Sequence, residues 1–468
     1  MGGENARLPV DQPGDHVDVL ILGGGSGGYA CALRAAELGL RVALVEKNKL
    51  GGTCLHRGCI PTKAMLHAAE VADAARHAAD FGVDVGGEPT VDLTRVGAYR
   101  DKVVRRLFSG LQGLVSGRGI ELVAGEGRVV DAHTVQVGER RLSGTSLVLA
   151  TGSVAKTIPS IPLSGRVVTS DGALALTEVP GRVAVLGGGV IGVEFASIFR
   201  SYGAEVTVVE ALDRLVPGED PTVSAGLLRA FRKRGISART GTAVTAVSET
   251  DDEVTLDLDS GDRLSADLVL VAVGRGPAPV PGIENLPVAT ERGQVLVDER
   301  GATSIPGVYA VGDLVPGLQL AHRGFAQGIL VAEVIAGLDP APIVESGIPR
   351  VTYCEPEIAS VGLTEAAARE QYGDHVQSVE YNLAGNGKSQ ILQTSGFVKL
   401  VRVTDGPVVG VHMLGSRVGE LIGEAQLIVG WEAHPEDVAP LLHAHPTQNE
   451  ALGEAHLALA GKPLHTHG

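Results

Sequence analysis

Two stretches of this chain repeat one another at a fixed offset, and that repeat limits the possible fold more than any other feature. VDVLILGGGSGGYACALRAAELGLRVALVEK begins at Val17 and RVAVLGGGVIGVEFASIFRSYGAEVTVVEAL at Arg182. Gly23, Gly25, Gly28 and Glu46 of the first map onto Gly187, Gly189, Gly192 and Glu210 of the second, 164 positions on. In each, an apolar run of strand length leads into the glycines, a stretch of helical period follows, and an acid closes the next strand. A lone Gly-x-Gly-x-x-Gly is a weak signal, because glycine turns between strands and helices are common. The full strand, turn, helix, strand context is the dinucleotide-binding pattern. Its first glycine permits the turn, its second lets a pyrophosphate approach the backbone, and its third lets helix pack on strand, with the helix N-terminus facing the phosphates. Two copies predict an α/β chain with two Rossmann-like domains, and two nucleotide sites in one chain suggest electron passage between two cofactors.

Composition narrows the class. A length of 468 residues predicts two to four domains, and 64 glycines without a collagen period place the excess in loops where backbone meets a ligand. The net charge of −16, with no long basic run, excludes the electrostatic footprint of a nucleic-acid binder. No apolar run is long enough to span a bilayer, and the start MGGENARLPVDQPGDH is polar and acidic where a signal peptide needs basic and then apolar residues. The expectation is a cytoplasmic chain with no membrane association. In that reducing setting a disulfide among Cys31, Cys54, Cys59 and Cys354 would be catalytic rather than structural.

Further segments fit a flavin domain that the second copy interrupts. SLVLATGS, residues 146–153, reads as a strand ending in a turn at Gly152, and GVYAVGD, residues 307–313, places Asp313 at the end of another. Asp313 is either a helix N-cap or, taken with the repeat, a hydrogen-bond partner for a flavin's ribityl chain. The Gly/Pro segment GRGPAPVPG, which starts at Gly274, leads into a stretch with a helix from near Ala321, and beyond Gly347 strand-like runs such as GFVKLVRV alternate with helical ones such as GELIGEAQLIV. The expected domains are 1–150 for a first cofactor with the dithiol, 151–275 for a second, 276–347 as a central domain, and 348–468 as an α+β interface domain.

GGTCLHRGCIPTK, residues 51–63, sets Cys54 and Cys59 before an apolar helical stretch, so the pair is expected to open a helix. There the helix dipole and unpaired amides favour a thiolate. Zinc would need a second short ligand pair, which Cys31 and Cys354 do not form. A redox dithiol is favoured over zinc and over two inert buried cysteines. His445 and Glu450 are spaced for a carboxylate-held histidine, but such a pair is more often a surface feature, and His443/His445 with His465/His467 would also permit a casual metal site.

With CLHRGCIPTK, ATGS, VAVGRGP, GVYAVGD, YNLAGNGKS and HAHPTQNEA in place, nearly the whole chain resembles the pyridine nucleotide-disulfide oxidoreductases, and among them the dihydrolipoyl dehydrogenases of actinobacterial type. The resemblance implies FAD in the first domain, NAD in the second, and a homodimer built through the last. It implies a Cys54–Cys59 redox disulfide, with Cys59 on the flavin side, and His445 with Glu450 as the proton-transfer pair reaching the partner subunit's disulfide. Lys63 and Glu194 match positions that pair beside the flavin, a role favoured over the blander reading of two helix-surface charges because a lysine there would stabilise the negative charge that develops on reduction. Thr53, Gly152, Gly274, Asp313 and Ala321 complete the implied cofactor contacts. Asn449 stands where the pattern often has serine. The implied reaction is oxidation of dihydrolipoyl groups on carrier proteins of 2-oxo acid dehydrogenase complexes or of a glycine cleavage system, with NAD as acceptor. The alternatives are another disulfide reductase of this architecture, of glutathione, mycothione or mercuric type, and a flavin-bearing subunit without turnover. Glu210 argues against an NADPH enzyme, because a carboxylate repels a 2′-phosphate and Ala211 and Leu212 offer no arginine to receive one.

Overall fold

The computed structural model describes residues 16–465, so residues 1–15 of the acidic start read above and His467 lie outside the described residues. By contacts the chain divides into two units. The first comprises the chain up to Pro61, Tyr99–Ala155 and Arg275–Ile343; the second comprises Thr62–Ala98, Lys156–Gly274 and the chain from Val344. Residues 275–343 thus group in space with the first copy of the repeat, and the segment after the cysteines with the second.

The first unit is built on five parallel strands in the order Glu121–Ala124, Val42–Glu46, His16–Leu22, Arg140–Leu149 and Val308–Ala310. Strands this apolar, with Val19, Leu20, Ile21 and Leu44 fully buried, belong inside a parallel sheet covered on both faces. Alternation along His16–Leu22 serves the two faces separately. Val19 and Ile21 meet the helices Ser26–Glu37 and Ala321–Ile335, while Leu20 and Leu22 meet Val280, Val295 and Leu314. The two helices approach through glycine: a Cβ at Gly328 would lie 2.3 Å from the Gly27 carbonyl oxygen and 2.8 Å from the Cys31 nitrogen. Cys31 is core here, and burial pushes its thiol up to about 12. The start of Arg140–Leu149 also continues into an antiparallel meander with Thr134–Val137 and Gly127–Asp131.

The second unit repeats that order with Ile236–Thr240, Glu205–Glu210, Arg182–Leu186, Leu268–Val271 and Val167–Thr169, all parallel. An antiparallel trio, Val244–Glu249, Val254–Leu258 and Arg263–Ala266, again falls between the third and fourth strands. The repeat therefore extends well past the glycines. This unit also holds an antiparallel sheet in the order Arg350–Thr352, Glu357–Gly362, Val408–Gly415, Phe397–Val403 and Val376–Asn382, the α+β architecture expected of the C-terminal segment. The helices Val418–Gly430 and Glu450–Leu459 share its core through Ala425, Ile428, Leu452 and Ala455. Among the described residues no helix is long and apolar enough to cross a membrane.

Candidate active site

The glycines of the two fingerprints have separable reasons. Gly23 and Gly187 adopt φ of +110° and +105°, a region closed to most side chains. A Cβ on Gly28 or Gly192 would fall 1.9 Å from the carbonyl oxygen of Gly23 or Gly187, so these glycines let helix touch strand. Gly25 and Gly189 have neither constraint: φ is −73° and −76°, and a Cβ there would meet nothing within 4 Å. The protein itself does not require glycine at those two positions, whereas a phosphate seated on the backbone would. Each is the N-cap of its helix, and neither helix has a side-chain cap, which leaves the first-turn amides facing that space for an anion. The residues present thus fit two dinucleotides.

The acid closing the second strand is held by the glycine turn in both copies. Glu46 accepts the amides of Gly24 at 2.8 Å and Asn48 at 2.7 Å, and Glu210 those of Gly188 at 2.6 Å and Leu212 at 2.7 Å. Each carboxylate is oriented by backbone with lone pairs to spare for ribose hydroxyls. Glu210 is buried, 8% exposed. The middle glycines, Gly24 and Gly188, escaped the sequence reading; the constant spacing to the acid was the available signal.

Asp313 lies past the strand Val308–Ala310, in the single turn Gly312–Leu314, rather than at the strand's end. It accepts a 2.5 Å hydrogen bond from Ser153, whose hydroxyl accepts one from Arg275 Nε at 2.9 Å. Arg275 Nη2 donates to the Ser153 carbonyl at 2.8 Å and reaches Thr53 Oγ1 at 3.5 Å. Sequence reasoning missed Ser153 and Arg275; they flank Gly152 and Gly274, both at positive φ with open space where a Cβ would stand. Ala321 opens its helix as expected, directly after the N-cap Leu320.

The cysteines do not open one helix together. Cys54 sits in the short helix Gly52–Arg57, and Cys59 is the first residue of Cys59–Arg76. Gly58 breaks the two, and Pro61 is tolerated only because it falls in the first turn of the second helix, where its missing N–H costs no hydrogen bond. Both cysteines are half-buried, unlike Cys31 and Cys354. Burial first, then the two thiols, raises the Tyr29 hydroxyl to about 12, so Tyr29 on the first fingerprint helix is within electrostatic reach of both sulfurs.

Lys63, one turn beyond Cys59, bonds both carboxylate oxygens of Glu194 at 2.8 Å. Glu194 is nearly closed off, at 4% side-chain exposure against 32% for Lys63, and it also accepts the Tyr353 amide at 3.0 Å. The ammonium lies 4.8 Å from the centre of the Tyr353 ring. These are paired groups, not two surface charges.

His445 is 75% exposed, and its Nδ1 meets Glu450 Oε1 at 2.8 Å. Glu450 Oε2 accepts the Thr447 amide at 2.8 Å, and the Thr447 hydroxyl closes the turn onto Ala444. Partial burial would raise Glu450, but that amide and His445 outweigh it and hold the carboxyl below its usual range. The buried Asn386, of YNLAGNGKS, anchors the turn by donating to the Thr447 carbonyl at 2.9 Å. With Nδ1–H directed to the carboxylate, neutral His445 keeps Nε2 outward as a proton acceptor. His465 pairs instead with Glu454, and no cluster able to hold a metal ion occurs among the described residues.

Residues 17–328 match the family model of the pyridine nucleotide-disulphide oxidoreductases, and 348–456 that of their dimerisation domain. A dihydrolipoyl dehydrogenase of Bacillus subtilis is 40% identical over 96% of this chain and 99% of its own. The mitochondrial dihydrolipoyl dehydrogenase 1 of Arabidopsis thaliana is 37% identical over 96% and 92%. Among solved structures, LpdA from Mycobacterium tuberculosis superposes with a TM-score of 0.87 at 23% identity, covering 94% of this chain and 99% of that one. The HOCl-induced flavoprotein disulfide reductase RclA from Escherichia coli superposes at 0.84 with 27% identity, covering 94% and 99%.

Proposed function

The chain belongs to the pyridine nucleotide-disulphide oxidoreductases and is an NAD-dependent flavoprotein of the dihydrolipoyl dehydrogenase kind; from that premise we propose which residues carry its oxidation of dihydrolipoamide and how. Residues 1–150 and 276–347 hold FAD through Gly23, Gly25, Gly28, Glu46, Thr53, Gly152, Asp313 and Ala321, with Lys63. Residues 151–275 hold NAD through Gly187, Gly189, Gly192, Glu210 and Gly274. Residues 348–468 form the interface of a homodimer, in which each His445 serves the dithiol of the other subunit.

His445, held by Glu450, takes the proton of one substrate thiol. The thiolate attacks Cys54 Sγ, breaking the Cys54–Cys59 bond and forming a mixed disulfide, and Cys59 leaves as a thiolate. The second substrate thiol displaces Cys54 and closes the substrate's own disulfide, its proton passing to the departing Cys54 sulfur while His445 keeps the first. Two electrons have passed from substrate to the cysteine pair. Bound FAD supplies the relay of that pair to NAD as hydride. Lys63, fixed by Glu194, places a positive charge where negative charge develops.

The observation that carries this reading is the outward-facing His445 with Nδ1 committed to Glu450. Mixing Cys54→Ser subunits with His445→Ala subunits tests it. Each alone is inactive, and exchange restores one intact site per heterodimer. Demonstrated exchange without returned activity means that the base acts within its own chain. Lipoyl-bearing carrier proteins are the partners this chemistry requires, and capture of such a carrier on the intact dimer checks them.

A further inference from the structure

A second histidine–carboxylate pair lies beside the first, and the steps above do not use it. His443 Nε2 meets Glu424 Oε1 at 2.8 Å, with only 11% of the histidine side chain exposed. The other oxygen of Glu424 accepts the side-chain amide of Asn449, the residue before Glu450. One carboxylate from the helix Val418–Gly430 therefore grips the turn bearing His445 at both ends. The His443 ring packs against the first turn of Glu450–Leu459: a Cβ at Gly453 would sit 2.6 Å from its Nδ1 and 2.9 Å from its Cε1. Any side chain at that position would displace the ring.

The charged and titratable groups facing His443 are Glu424 from the helix Val418–Gly430 and Glu450 and His456 from the helix Glu450–Leu459, and His445 follows two residues on along its own segment. His456 is fully buried, and burial lowers it, so it remains neutral. The hydrogen bond to Glu424, working against burial, raises His443, and His443 lowers Glu424 in return. His443 is also among the charges that keep Glu450 ionised.

We propose that the His443–Glu424 pair is a positioning device for the base: it clamps the turn that carries His445 and holds the His443 ring beside Glu450, so that the Glu450 carboxylate stays available to hold His445 Nδ1. The inference rests on the reading of His445 as the base. It explains Asn449, whose amide has a specific acceptor in Glu424, and a histidine at 443 that proton transfer alone does not require.

Replacing His443 by Gln tests the cation while retaining a donor toward Glu424. In the full-length holoenzyme His443→Gln lowers kcat/KM for dihydrolipoamide about tenfold, and the acid limb of its pH profile moves up by about half a unit, because a cation no longer opposes proton uptake by the His445–Glu450 pair. Glu424→Gln lowers the rate similarly with little movement of the limb, since His443 loses its proton along with its partner, and Glu424→Asp recovers most of the rate. The double variant His443→Gln/Glu424→Gln returns the limb toward wild type without restoring the rate. NADH-dependent ferricyanide reduction, which needs no thiol chemistry, stays within about twofold throughout. A limb that does not move in His443→Gln, or a loss shared equally by both activities, overturns the proposal. His445→Gln separates the two levels: if that variant keeps wild-type turnover, the base assignment falls and this inference with it. If it is inactive while His443→Gln leaves the limb in place, this inference alone fails.

Discussion

The two fingerprint regions share strand order, glycine geometry and the antiparallel insertion before the fourth strand, yet they differ in one crossover. Between the second and third strands the later copy spends residues 211–235, essentially one helix, whereas the earlier copy spends residues 47–120. That enlarged crossover contains Cys54, Cys59 and Lys63. The copies also take their fifth strand from opposite directions along the chain, Val308–Ala310 after the fourth strand in the first and Val167–Thr169 before the second copy begins. A duplicated nucleotide fold thus keeps what binds a dinucleotide in the repeated parts and places the distinguishing chemistry where the copies diverge, because a crossover can lengthen without disturbing a parallel sheet.

If this contrast holds, removing the chemistry of the crossover costs most. Cys54→Ser lowers dihydrolipoamide turnover by about a thousandfold or more, while NADH-dependent ferricyanide reduction persists. Loss of both activities would mean that the crossover also maintains the nucleotide sites. The flavin-side role of Cys59 has a separate signature: partial reduction gives a long-wavelength absorption band, which Cys59→Ser abolishes.

The repeated glycines then distinguish the copies by cofactor. Gly28→Ala and Gly192→Ala each force a methyl into a backbone oxygen 1.9 Å away, a strain of about 1–3 kcal/mol or more. Gly28→Ala is expected to purify depleted of flavin. Gly192→Ala keeps its flavin, and its KM for NAD rises about tenfold. Identical phenotypes in absorbance and kinetics would break the assignment of one cofactor to each copy.

A smaller effect sharpens the second copy alone. With Glu210 on the ribose, NADP is expected to be disfavoured by about a hundredfold in kcat/KM, because a buried carboxylate would face the 2′-phosphate. Glu210→Ala combined with Leu212→Arg narrows the preference, at some cost in NAD affinity because the Gly188 amide loses its acceptor. Comparable efficiency with both nucleotides in the unaltered protein would contradict it.

The smallest effect lies outside both copies and serves as their control. Burial raises Glu357 from 4.5 to about 7, opposed by the Gly419 amide and reinforced by Glu355 and Glu420. A carboxyl raised on folding contributes stability that is complete below its unfolded value and lost as pH rises through the folded one. Tm should therefore decline between about pH 5 and 8, and Glu357→Gln should flatten that decline while leaving flavin content and NAD affinity unchanged. A slope of the same size in the variant would assign the effect to another group.

The sequence by itself determined the duplicated unit, the position of each fingerprint and the placing of a cysteine pair at a helix start, because these depend on local rules: strand and helix period, glycine at positive φ, and a dithiol beside an apolar helical stretch. It even separated Gly25 and Gly189 from their neighbours by role. Only the tertiary structure decided the rest. The break between Cys54 and Cys59 follows from Gly58 and Pro61 acting on a helix that the apolar pattern alone would run through. The fifth strand of the first sheet arrives from residues 308–310, a pairing that no local period encodes. The network of Asp313, Ser153 and Arg275, the bidentate bond between Lys63 and Glu194, and the grip of Glu424 on His443 and Asn449 join residues tens to more than a hundred positions apart or on separate elements. Side-chain hydrogen bonds of that kind have no periodicity to read, since they are fixed by where the packed elements bring donors and acceptors together rather than by the order of residues along the chain.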